Sequence, residues 1–67
     1  MIQTNTIGMT RVTKTLIAGL IRDSFDKLDS TELTYKAPIL ITAASELGFN
    51  ELAKGMREDM NHELKNN

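Results

Sequence analysis

The sequence predicts an all-α fold: a single domain of three helices, over about residues 10–28, 37–47 and 51–65, assembled as a homodimer or higher oligomer. Three observations predict it. Apolar residues recur at helical spacing in three separate stretches, turn-forming residues fall between the stretches, and a chain of 67 residues carries more apolar helix surface than one copy can enclose. A chain this short buries only about 60% of the surface its unfolded form exposes, so it leans on disulfides, metal or self-association. There is no cysteine and one histidine, His62, which removes the first and leaves no basis for a zinc site. Self-association remains.

Residues 1–9, rich in Thr and Ile with Gly8 near the end, are expected to form an arm, a short strand being the other reading. In the first helix, Val12, Leu16, Ile17, Leu20, Ile21, Phe25 and Leu28 follow a helical period. They cover much more than the ~100° stripe of an ordinary surface helix. Val12, Leu16 and Leu20 make one edge of that arc; Ala18, Ile21 and Phe25 make the other. So wide an arc belongs to a helix that is central in its fold or shared with another chain.

The following segment, DSTELTYK (residues 29–36), has the composition of a turn, with capping hydroxyls on Ser30, Thr31 and Thr34. Pro38 fits the first turn of a helix, where amide hydrogens lack partners in any case, so the second helix is expected to begin at Ala37. Its Ile39, Leu40, Ile41, Ala43, Ala44 and Leu47 leave few positions for water. Gly48 ends it, free to take the left-handed conformation of a helix C-terminus. Asn50 is the expected N-cap of the third helix, with Glu51 in its first turn. Leu52, Met56, Met60 and Leu64 recur every four residues, opposite a polar face of Lys54, Arg57, Glu58, His62 and Lys65. Met56 and Met60 are core fillers on this reading rather than an adaptable groove.

Function is constrained mainly by exclusion. The net charge of -1 gives no overall pull toward phosphate or anionic lipid. The charge is unevenly spread, however: Arg11, Lys14 and Arg22 precede any acid, and Asp23, Asp26, Asp29 and Glu32 then follow against Lys27 alone. Those acids lack the alternating ligands and glycine of a calcium loop, and His62 lacks the second histidine of an H-E-x-x-H site, so no metal or other cofactor is expected. Ser24, Ser30 and Ser45 have no nucleophile-elbow context, and no glycine-rich loop follows a strand. The chain is therefore expected not to be an enzyme. No apolar run approaches the roughly 20 residues of a membrane span, and "LIAGLI" is too short for a signal-peptide core, so a cytoplasmic protein is expected.

The stretch ITAASELGFNELAKGMREDM resembles half of a helix-turn-helix motif. Ala44, Leu47, Gly48 and Phe49 fit the turn, but Lys54 and Arg57 stand where that pattern buries aliphatic residues. A dimeric DNA-binding regulator using Lys54 and Arg57, helped by Arg11, Lys14 and Arg22, is thus the alternative reading. A helical oligomer holding a small ligand between subunits is a further one. The leading expectation is a small interaction protein of adaptor, accessory or inhibitor type, partnered with itself and with another protein. Ile17, Ile21, Phe25 and Ile41 are its expected apolar anchors, and Lys14, Arg22 and Lys36 its polar rim.

Overall fold

Three helices, α1 (Arg11–Asp26), α2 (Ser30–Glu46) and α3 (Asn50–Asn66), are joined by short connections at residues 27–29 and 47–49. The structure, a computed structural model, describes residues 10–66, the last of these in its backbone only; the expected arm over 1–9 lies outside the described residues. All three helices were expected, and among the described residues there is no strand.

Thr10 starts α1, its hydroxyl accepting the Thr13 amide hydrogen at 3.1 Å. The start of α2 differs from the sequence expectation. Residues 30–36 are its first two turns, not a loop. Asp29 is the N-cap: its carboxylate accepts from the Glu32 amide at 2.8 Å, and Glu32 Oε1 accepts from the Asp29 amide at 3.1 Å. This reciprocal capping box satisfies two amide hydrogens that a helix start otherwise leaves open. Pro38 consequently sits in the helix interior, where it cannot donate to the Thr34 carbonyl. Both residues are exposed, so the lost bond falls on the solvent side of α2.

At the other end of α2, Gly48 has φ 87°, the left-handed conformation expected of it. The Phe49 amide donates to the Ala44 carbonyl at 2.8 Å and the Gly48 amide to the Ser45 carbonyl at 3.0 Å. Those two bonds make a Schellman motif that turns the chain back on itself. The helix that follows begins at Asn50, one residue earlier than expected, and Phe49 accepts its first bond, from Ala53 at 2.9 Å.

The α2/α3 hairpin contains most of the core. Leu33, Ala37, Ile41 and Ala44 line one face of α2 and meet Ala53 and Met56 of α3. The alanines are small enough for the two backbones to approach, and Met56, fully buried, fills the space between them. From α1 only Phe25 is buried, with Ile21 and Leu28 packed beside it. Arg22 anchors this end from outside: it pairs with Asp59 on α3 and with Asp26 at 3.1 Å, and its guanidinium lies 5.2 Å from the Phe25 ring centre. At 37% exposure of the Arg22 side chain, these pairs set orientation more than they stabilise, since exposed ion pairs are worth about 0 to 1 kcal/mol.

The rest of α1 projects. Residues 10–16 are all exposed, and only Ile17 and Ala18 in the next turn begin to be covered. The molecule measures 47 × 19 × 17 Å, although a helix of this length spans only about 25 Å. Its radius of gyration, 13.5 Å, exceeds the roughly 10 to 11 Å of a rounded domain of similar length.

Candidate interaction surface

The projecting half of α1 carries a row of apolar side chains one helical turn apart. Val12, Leu16 and Leu20 are 68%, 63% and 68% exposed. Positions four apart stack on one face of a helix, so they form a continuous ridge. Ser24 continues the row, and Leu28, just past the helix end, follows it into a groove between α1 and α2. The groove encloses about 320 Å³ and is lined by Ser24, Leu28, Lys36, Ile39 and Leu40. Ile39, 65% exposed, stands on its far wall, with Tyr35 one turn away along α2.

Leaving such side chains two-thirds exposed forgoes roughly 1 to 2 kcal/mol each, scaled from the 1.5 to 3 kcal/mol of full burial. Single exposed leucines are ordinary on any protein. A ridge that opens into an apolar groove is a patch, and patches mark contacts.

The expected anchors fall differently. Phe25 and Ile41 are 5% and 4% exposed, enclosed by their own chain, so neither can be an anchor on the free surface. Leu33, in the extra two turns of α2, joins Phe25 in the core, and Ile41 lies on the α2 face that meets Ala53 and Met56 of α3. Ile21 is half-buried against that core, whereas Ile17 is half-buried at the base of the projection and borders the ridge. Of the expected rim, Lys14 is exposed on the projecting half. Arg22 is committed to Asp59 and Asp26, which raise its pKa further above its already high ordinary value. Lys36 donates to Glu32 at 2.8 Å on the lip of the groove. That pairing raises the Lys36 pKa and lowers that of Glu32, which the Asp29 amide also stabilises as carboxylate.

Val12, Leu16 and Leu20 belong to the apolar arc seen in the sequence but not to the expected anchors. The signal that separates them is the four-residue register: 12, 16 and 20 run in one row, and 17, 21 and 25 in the next.

A second cavity, of about 250 Å³, lies between the α1 end and α3, with Arg22, Asp26, Asp59, His62 and Glu63 in its wall. Arg22, Asp26 and Asp59 in that wall are tied to one another by ion pairs. No group of three or more His, Asp or Glu side chains among the described residues is placed to hold a metal ion, and no described helix is long and apolar enough to cross a membrane. Lys54 and Arg57 are both exposed on α3. No family model, curated protein or solved structure matches the chain.

Proposed function

We propose that this protein is a small helical interaction module that acts by docking the projecting half of α1 onto another macromolecule, without catalysis of its own. The observation that carries this reading is the exposed Val12, Leu16, Leu20 ridge on a helix segment that the other described residues leave uncovered. A short helix is marginal in water alone and gains most of its stability from packing of an apolar face. Helix-in-groove recognition uses anchors at this spacing. Such a contact suits an adaptor, accessory or inhibitor role better than an enzyme's, because the described cavities are small and open, and Arg22, Asp26 and Asp59 in the wall of the polar one are paired with one another.

A photocrosslinking side chain at Thr13, beside the ridge, tests the reading in the native cell. Adducts should form there and disappear when Leu16→Asp and Leu20→Asp are added, with far-ultraviolet dichroism of the variant retained. Adducts that survive both substitutions, or that form only from a probe at Arg57 on α3, would refute it.

A further inference from the structure

We infer that the occupant of this surface is a second copy of the chain, its α1 laid antiparallel to the first about a two-fold axis beside Leu20. The inference rests on the reading of the ridge as a binding face and names its partner. Two observations point to it.

The row is symmetric about its middle member. Positions 12, 16, 20, 24 and 28 place Leu20 at the centre, so a two-fold there sets Leu20 against Leu20 and Leu16 against Ser24. It brings Val12 of each copy to the level of Leu28 in the other, where the groove beside Ile39 opens. Each projecting end thus lies along the docked end of its partner, with Leu16 and Leu20 at the centre of the contact and Val12, about 80° around the helix from Leu20, at its edge.

Charge selects the same arrangement. Residues 11–20 carry Arg11 and Lys14 with no acid, a net +2. Residues 21–29, the segment that a two-fold at Leu20 sets opposite residues 11–19, carry Arg22 and Lys27 against Asp23, Asp26 and Asp29, a net -1. An antiparallel pair centred on Leu20 overlaps the positive segment of one copy with the negative segment of the other. A parallel pair, or a two-fold displaced to Leu16, sets positive against positive. Opposite fields fix register and orientation more than affinity, and like charges brought together exclude the alternatives.

The absence of native cysteine makes the register directly testable in the full chain. Single variants Val12→Cys, Leu16→Cys, Leu20→Cys, Ser24→Cys and, as a remote control, Lys54→Cys are oxidised with glutathione disulfide. Leu20→Cys should give the disulfide-linked dimer about tenfold faster than Lys54→Cys, because a held pair of thiols has a high effective concentration. Mixed Leu16→Cys and Ser24→Cys chains should form the heterodimer in preference to either homodimer. Sedimentation of the wild type should give twice 7.5 kDa, reduced to one copy by Leu20→Asp with helix content unchanged. Equal homodimer rates at positions 12, 16 and 20 would overturn the antiparallel arrangement. A wild-type chain that sediments as one copy at 100 μM or so, a generous excess over micromolar affinities, would overturn the second copy as partner. Neither result touches the broader reading, which fails only if a probe beside the ridge captures nothing or captures indifferently to Leu16→Asp and Leu20→Asp.

Discussion

Leu20 and Phe25 stand five residues apart on one helix and differ more than tenfold in exposure, 68% against 5%. Hydropathy does not separate them; register does, because only the row through Phe25 points at the α2/α3 hairpin. Substitution should reveal the difference. Met56→Ala, which empties the best-packed site of the core, should cost about 2 to 5 kcal/mol in chemical denaturation. Leu20→Ala, measured in dilute solution where the chain is alone, should lie within about 0.5 kcal/mol of wild type. Two glycines should respond in opposite senses. Gly48→Ala forces a side chain into φ 87° and should lose about 1 to 2 kcal/mol. Gly55→Ala adds a methyl that meets nothing within 4 Å in a helix interior and should gain about 0.5 to 1 kcal/mol.

Helix α2 shows what was legible in the sequence and what was not. Its end was legible, since Gly48 after Leu47 allows few other outcomes. Its beginning was hidden by two local signals in conflict. Pro38 favours a helix start near residue 37, and Asp29 with Glu32 three residues on is a start signal of its own. The capping box prevails because Leu33 joins the core when residues 30–36 are helical. That outcome depends on tertiary packing, which local pattern does not contain. Packing likewise places Phe25 and Ile41, expected at the surface, in the core. Asp29→Ala should therefore cost about 0.5 to 2 kcal/mol and fray α2 from its start. The Lys36 ammonium and the Asp29 amide hold the Glu32 carboxyl below the usual glutamate value. Its contribution is accordingly complete above the unfolded value of about 4.3 and declines as pH falls through the lower folded one. Thermal melts of Glu32→Gln should lack that part of the acid-side loss.

The whole molecule is a hairpin with a helix docked on it by one end, and that asymmetry is the basis of the functional reading. The sequence indicated surplus apolar surface correctly in kind; which residues carry it depended on where α1 meets α2 and α3. Lys54 and Arg57 of the alternative, DNA-binding reading share α3 with Glu51, Glu58, Asp59 and Glu63, a poor field for phosphate. Mobility-shift assays at low salt should show no retardation of duplex DNA.

Amide hydrogen exchange along α1 is the most direct measurement of the central claim. In a dilute sample, where each chain is alone, amides of residues 14–20 should exchange far faster than those of residues 40–44 and 54–58, and should gain protection as concentration rises or a partner is added. Protection of residues 14–20 equal to that of the hairpin at every dilution would mean that a single chain already covers its first helix, and would contradict the account.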